Sequence, residues 1–231
     1  MKKLIPLFVI AAMIFGFNPV SGQDCEIYKD YKEGTSTKMV HYDKKDKPTG
    51  HTITTVKEKK KIPGGVSLQF HQTYSDGEEY SFESEFGIEC VNGEVKVDMS
   101  KLIDPNSMSA YEGMEFDVQA DDMSIPPDAS AGDQLNDGSV TVTVETGTPI
   151  KVSITVTMAN RVVESEEKVK TPAGTFDCLK ISYELLTQIG FVKVKSSAVE
   201  YYNSKHGVIK SESYNKRGKL TGYSVVEEIN Y

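Results

Sequence analysis

The sequence predicts an all-β protein made of one meandering antiparallel sheet. Apolar and polar residues alternate with a period of two along most of the chain, and turn-forming residues separate the alternating runs. Nothing in the composition marks a linker between domains. Alternation of this kind is typical of strands that bury one face and leave the other in water. About a dozen such runs joined by tight turns favour a single sheet over several domains.

The alternation can be followed from one strand to the next. Val140, Val142 and Val144 alternate with threonines, for example. Further alternating runs cover residues 66–71, 80–90, 94–99 and 150–158. Between them lie turn sequences such as Thr171-Pro172-Ala173-Gly174, where proline in the second position and glycine in the fourth suit a type I turn.

Residue parity also predicts which side chains share a core. We expect Phe82, Phe86 and Ile88 to face the same core as Val95 and Val97, because each set occupies alternate positions of neighbouring strands. Phe176 and Ile181 have opposite parity within one strand. That strand is therefore predicted to be apolar on both faces.

Two stretches interrupt the alternation. Residues 101–123 contain one predicted helical segment, at 105–111. Residues 124–138 carry Pro126 and Pro127 among small and acidic residues, so a long loop is expected there. Loops of more than about 12–15 residues are uncommon and often functional or mobile.

Residues 42–53 and 214–225 resemble one another. Both stretches place tyrosine before a basic turn and follow it with Thr-Gly. Two hairpins with basic turns explain the likeness better than a true repeat, because a repeat fold needs at least three units.

The chain begins with the pattern of a secretory signal peptide. Lys2 and Lys3 precede an apolar run at 4–17, and small residues follow before Gln23. This run is shorter than the roughly 20 apolar residues of a membrane-spanning helix. We therefore predict a cleaved leader at 1–22 and one all-β domain at 23–231, exported to the periplasm or cell envelope.

The charge of the predicted mature chain excludes some partners. With 24 basic and 34 acidic residues its net charge is −10, which argues against binding to nucleic acid or to anionic lipid surfaces. The basic cluster formed by Lys57, Lys59, Lys60 and Lys61 is interpreted as a solvated strand end.

Three cysteines leave at least one without a partner inside the chain. Cys178 lies in an apolar strand and is predicted to be a buried free thiol, so the sequence favours a disulfide between Cys25 and Cys90. Residues 22–24 do not fit a lipobox, and no lipid anchor is expected at Cys25.

No catalytic, metal or cofactor motif is present. The four histidines lack metal-ligand spacing, and neither HExxH nor GxSxG occurs. Aspartates cluster around the long loop, but their spacing is not that of a calcium site, and a solvated acidic loop is the preferred interpretation. We therefore predict no catalytic residues, metal ligands or cofactors.

Four of the eight methionines fall between positions 99 and 123. They are Met99, Met108, Met114 and Met123. Methionine is flexible and adapts to varied apolar partners. These residues are the candidate lining of an adaptable apolar pocket, although filling of an ordinary core beneath an irregular segment is the simpler explanation.

Residues 168–183, 201–212 and 132–137 together resemble the TapB-like family, exported proteins of unknown function in Gram-negative envelopes. The turn at 171–176 is the most specific part, and the resemblance covers most of 35–230. It implies a curled antiparallel sheet, a half-barrel or open barrel like those of lipoprotein carriers. It supplies no catalytic residues.

These observations favour a non-enzymatic envelope protein that holds a lipid-like or other amphiphilic ligand on the concave face of the sheet. The alternative is a structural or assembly factor that binds another envelope protein. An enzyme ranks third because no motif requires one. No nucleic-acid partner and no membrane span are expected.

Overall fold

A computed structural model describes residues 25–77, 81–98, 115–145 and 151–231. These residues form thirteen β-strands and no helix. The strands are β1 Ser36–Asp43, β2 Pro48–Ile62, β3 Gly65–Ser75, β4 Ser81–Val91, β5 Glu94–Val97, β6 Glu115–Asp121, β7 Met123–Ile125, β8 Gly138–Glu145, β9 Lys151–Thr171, β10 Gly174–Ile189, β11 Val192–Asn203, β12 Gly207–Asn215 and β13 Leu220–Asn230. The helical segment predicted at 105–111 lies outside the described residues.

All thirteen strands belong to one antiparallel sheet, which confirms the predicted fold class. Its order is β6-β8-β9-β10-β11-β12-β13-β1-β2-β3-β4-β5-β7. The sheet is a meander from β8 to β13 and again from β1 to β5, and the first and last strands pair in its middle. Its two edges, β6 and β7, are neighbours in sequence, so the sheet curls until its ends approach each other.

The predicted long loop at 124–138 extends the sheet. Strand β8 pairs with β9 as far as Met158. Beyond that point the loop takes over: the amides of Gly132 and Leu135 donate to the carbonyls of Val163 and Arg161, at 2.8 and 2.9 Å. The amide of Val163 donates to the carbonyl of Asp133 at 2.9 Å. The loop is therefore held along β9 in a strand-like manner.

Arg161 joins this loop to the opposite edge of the sheet. Its Nη1 donates to the carbonyl oxygens of Asn136, at 2.7 Å, and Ser124, at 3.2 Å. The amide of Ser124 donates to Oδ1 of Asn136 at 2.8 Å. The guanidinium group is buried, so these bonds also satisfy its donors. Side chains thus bring β7 against the loop, and the barrel is nearly closed.

One end of the barrel is filled by residues 25–35, here called the plug. A disulfide ties Cys25 to Cys90 at the end of β4. Nζ of Lys59 donates to the carbonyls of Tyr28, Lys29 and Tyr31 at 2.8–2.9 Å. Lys59 belongs to the cluster interpreted as a solvated strand end. That interpretation is wrong for Lys59, because the plug supplies three acceptors that sequence does not reveal.

The main apolar core lies between the plug and the barrel wall. Ile88 and Val95 are buried in it, and Phe86 and Val97 pack against it, as parity predicts. The Phe82 side chain lies outside the described part of the chain. Phe176 packs against a second cluster whereas Ile181 is buried in the first, which confirms that β10 is apolar on both faces.

The two resembling stretches form neighbouring hairpins with the same turn. Oδ1 of Asp43 accepts hydrogen bonds from the amides of Lys45 and Lys47, at 2.7 and 3.0 Å. Oδ1 of Asn215 accepts from the amides two and four residues further on, at 2.9 and 3.2 Å. Asx side chains that bond their own turn in this way are a common hairpin device. The pairing of β1 with β13 places the two turns side by side.

Candidate functional site

The plug and nine of the strands line an open cavity of about 470 Å³. This volume falls within the range of small-molecule sites, roughly 300–1,000 Å³. The lining is Tyr28, Tyr31, Thr37, Met39, His41, Thr52, Thr54, Phe70, Gln72, Phe86, Ile88, Val97, Met123, Met158, Glu200, His206, Val208 and Ser211. Most of its surface is apolar, although eight of these eighteen residues have polar side chains apart from the tyrosines.

Aromatic rings of the plug and of the neighbouring strands close one end of the cavity. The ring of Tyr28 lies 4.8 Å from that of Tyr31 and 5.1 Å from that of Phe70, centroid to centroid. Phe70 stacks on Phe86 at 5.0 Å. Gly207 makes room for these rings, because a side chain there would meet the Tyr28 hydroxyl group. The plug thus closes one end of the cavity with rigid rings.

Three methionines line the cavity, and they come from distant parts of the chain. Met39 lies on β1, Met123 on β7 and Met158 on β9. The other three candidates from the sequence, Met99, Met108 and Met114, lie outside the described residues. Clustering along the chain could not identify Met39 or Met158, because the barrel brings together strands that are far apart in sequence.

Glu200 places a carboxyl group in this apolar wall. It pairs with Ile181 on β10 and with Ser211 on β12, both inside the barrel. The hydroxyl group of Tyr183 donates to its Oε1 at 2.8 Å. Burial raises the pKa of Glu200, and the hydrogen bond from Tyr183 and the charge of Arg161 only partly oppose that effect. The protonated form of this carboxyl group can donate a hydrogen bond to a ligand, and the ionised form can accept one.

Two histidines also belong to the polar part of the lining. His41 bridges two strands: its Nδ1 lies 2.6 Å from Oγ of Ser224, and its Nε2 lies 2.7 Å from Oγ1 of Thr52. Nδ1 of His206 lies 3.3 Å from the Tyr31 hydroxyl oxygen. Burial lowers the pKa of both imidazoles, with a smaller contribution from neighbouring positive groups. Both rings are therefore hydrogen-bonded, neutral parts of the wall near neutral pH.

Residues 32–226 match the model of the DUF3108-like family. This match covers most of the chain, including every strand from β1 to β12. The chain belongs to the DUF3108-like family. No curated protein matches it.

Two crystal structures share the barrel of this DUF3108-like protein. One is a predicted exported protein with a YmcC-like fold from Bacteroides fragilis, 22% identical, with a TM-score of 0.67 over 87% of this chain and 97% of that one. The other is a predicted lipoprotein from Parabacteroides distasonis, 24% identical, with a TM-score of 0.71 over 90% of this chain and 100% of that one. At these identities the likeness establishes the fold.

The other residues singled out from sequence lie away from the cavity. Cys178 is a buried free thiol packed in the second apolar cluster. His71 lies within 4 Å of Glu83 and Glu85, both largely exposed. In the described part of the DUF3108-like protein, no three histidine, cysteine or acidic side chains are grouped to hold a metal ion. No helix in that part could cross a membrane.

Sequence reasoning missed Glu200, although a signal for it exists. On β11 the side chains of Ala198, Glu200 and Tyr202 share one parity, and Tyr202 is buried in the main core. A charged residue at a core-facing position of an alternating strand indicates either a functional group or a buried pair. The cavity of the DUF3108-like protein can thus surround the apolar chain of a ligand. Glu200 can bind a polar group of the same ligand.

Proposed function

We propose that this DUF3108-like protein is a non-enzymatic protein of the cell envelope that binds a lipid-like or other amphiphilic molecule inside its barrel. The observation that carries the proposal is the cavity of about 470 Å³ between the plug and the strands. A filled barrel core would leave no such space, since protein interiors pack about as densely as organic crystals.

The lining has the chemistry of an amphiphile site. Methionines at three points of the wall adapt to flexible apolar chains. The carboxyl group of Glu200, whose pKa burial raises, offers a hydrogen-bonding group for the polar head of the ligand. An amphiphile satisfies both parts of the wall, whereas a fully polar ligand would leave the methionines and aromatic rings without apolar partners.

Several observations support export to the envelope. The sequence carries a predicted leader at 1–22, and the structure has a disulfide between Cys25 and Cys90, a bond that persists in oxidising compartments. The two similar structures are described as an exported protein and a lipoprotein. The narrower resemblance to the TapB-like family of Gram-negative envelopes agrees with this location.

Titration with a fluorescent polyene fatty acid tests the proposal. We expect saturable binding to the exported protein, with fluorescence enhanced by transfer to the apolar cavity. In the variant Ser211→Phe an aromatic ring enters the cavity beside Glu200, and binding should weaken at least about tenfold, or roughly 1.4 kcal/mol. Ser197→Phe, on β11 with parity opposite to that of Glu200 and therefore on the outer face of the barrel, is the matched control.

The two variants separate cavity binding from adventitious binding. Thermal melts first establish that both variants fold. Loss of affinity in Ser211→Phe with retention in Ser197→Phe supports the cavity. Equal affinity in all three proteins would place the probe on the outer surface and contradict the proposal. Absence of binding by the wild type would leave the alternative, an assembly factor for another envelope protein.

A further inference from the structure

The β10–β11 hairpin carries a group of exposed apolar side chains at its tip. Phe191 is fully exposed, and Ile189, Val192 and Val194 expose 47%, 63% and 56% of their surface. Single exposed apolar residues are ordinary, but four within six positions at one hairpin tip indicate an interaction site.

This hairpin projects beyond its neighbour on one side. The last pair between β11 and β12 is Ser196 with Asn215. Residues 192–195 continue past it and pair with β10. Four residues at about 3.3 Å each carry the tip roughly 13 Å beyond that pair. The tip therefore stands at the edge of the molecule, at the end opposite the plug.

The strand register places basic turns next to the tip. The β12–β13 turn follows Asn215, and pairing of Asp43 with Gly222 puts the β1–β2 turn beside it. We call residues 43–48, 189–195 and 215–220 the basic rim. It carries the basic residues Lys44, Lys45, Lys47, Lys193, Lys195, Lys216, Arg217 and Lys219.

The acidic groups of the rim are engaged in holding the turns. Asp43 accepts hydrogen bonds from two backbone amides of its own turn. Asp46 accepts one from the hydroxyl group of Tyr223, at 2.8 Å, and so ties the two turns together. Glu184, just outside the rim, forms an ion pair with Lys195. With eight basic residues against Asp43 and Asp46, the rim carries a net positive charge in a protein whose total charge is negative.

We propose that the basic rim docks on a bilayer that contains anionic phospholipid, with Phe191 and its apolar neighbours inserted among the lipid chains. Apolar side chains at a projecting tip enter the interface, and surrounding lysines and arginines contact the phosphate groups. The acidic remainder of the molecule is repelled by the same surface, and this repulsion orients the rim toward the membrane. A protein partner would not require positive charge on all three turns.

The docked orientation would also present the cavity to the membrane. Ile189 faces Val192 across the hairpin, and Val192 and Val194 share the parity of Glu200 on β11. The apolar face of the hairpin thus continues the inner face of the barrel. Membrane docking does not depend on cavity binding, and each can fail without the other.

A tryptophan probe tests the insertion directly. The chain contains no tryptophan, so Phe191→Trp introduces a single reporter at the tip. On vesicles of phosphatidylethanolamine and phosphatidylglycerol we expect its emission to shift to the blue and to be quenched by brominated lipid chains. Tyr231→Trp, an exposed aromatic position at the plugged end, is the matched control and should show neither change.

Vesicle sedimentation measures the charge contribution. Replacing phosphatidylglycerol with phosphatidylcholine, or combining Lys216→Glu with Arg217→Glu, should weaken binding at least about tenfold. Phe191→Ser with Val192→Ser should abolish the bound fraction while the thermal melt stays unchanged. Equal responses from the two tryptophan positions would overturn the proposal. So would absence of vesicle binding combined with crosslinking of the tip to an envelope protein.

Discussion

Glu200 places a carboxyl group in the wall of the cavity. Its carboxyl group faces a largely apolar space and accepts a hydrogen bond from the Tyr183 hydroxyl group. The positive charge of the buried Arg161 also acts on it. Because burial raises its pKa in the folded protein, the folded state holds the Glu200 proton to higher pH than the unfolded state does. The stability that this proton linkage contributes is present below the unfolded pKa, near 4.5, and is lost as pH rises through the folded pKa.

Glu200→Gln should remove that pH dependence. Glutamine keeps the size of the side chain but does not titrate, so the wild type should lose unfolding free energy relative to the variant as pH rises from 4.5. Each unit of pKa displacement corresponds to about 1.4 kcal/mol. Chemical denaturation across this pH range measures the difference. In the control Glu184→Gln the sign is reversed, because the hydrogen bond to Lys195 lowers the pKa of Glu184. A pH-independent difference for Glu200→Gln would contradict a buried, proton-linked carboxyl.

Cys178 should be chemically inert while the protein is folded. Burial, with a smaller contribution from the charge of Asp177, raises its pKa to about 11, and the thiolate is the reactive form. Alkylation at pH 8 followed by intact mass measurement should find no modified thiol in the native protein and one after unfolding without reduction. Rapid labelling of the native protein would mean that Cys178 is accessible.

The sequence predicts the hairpins of the barrel better than it predicts the segment that closes it. The hairpins at 42–53 and 214–225 follow from their turn residues, since Asp43 and Asn215 each bond the turn that they begin. The segment at 124–138 was expected to be a loop. It pairs with β9 mainly through backbone groups, and backbone pairing needs no apolar alternation that a sequence could display.

Lys59 connects the plug to the barrel wall, and its replacement should loosen the plug. Lys59→Met keeps the length and apolar stem of the side chain but removes three hydrogen bonds to backbone carbonyls. We expect a loss of about 1.5–3 kcal/mol, the usual contribution of hydrogen bonds to a charged group. Denaturation would measure the loss, and faster hydrogen exchange at residues 26–31 would locate it. Lys57→Met, on the exposed side of β2, is the control, and equal stability of the two variants would contradict this role.

At the scale of the whole molecule, the overall charge and the charge of the basic rim give opposite predictions about binding to an anionic membrane. A net charge of −10 for the predicted mature chain argues against anionic surfaces. The register of β11, β12, β13 and β1 nevertheless gathers eight basic residues at one end. Composition averages over the surface, and long-range strand pairing decides where the charges meet. The cavity lining has the same origin, since Met39, Met123 and Met158 meet only in the closed barrel.

The central claim is that the barrel holds an amphiphilic molecule. Native mass spectrometry of the exported protein, purified without detergent from its own envelope, tests this claim most directly. We predict a discrete added mass that is released as a lipid-like molecule on unfolding and is retained by Ser197→Phe but absent from Ser211→Phe. A wild-type spectrum that shows the bare polypeptide mass, together with no uptake of added fatty acid, would contradict the claim.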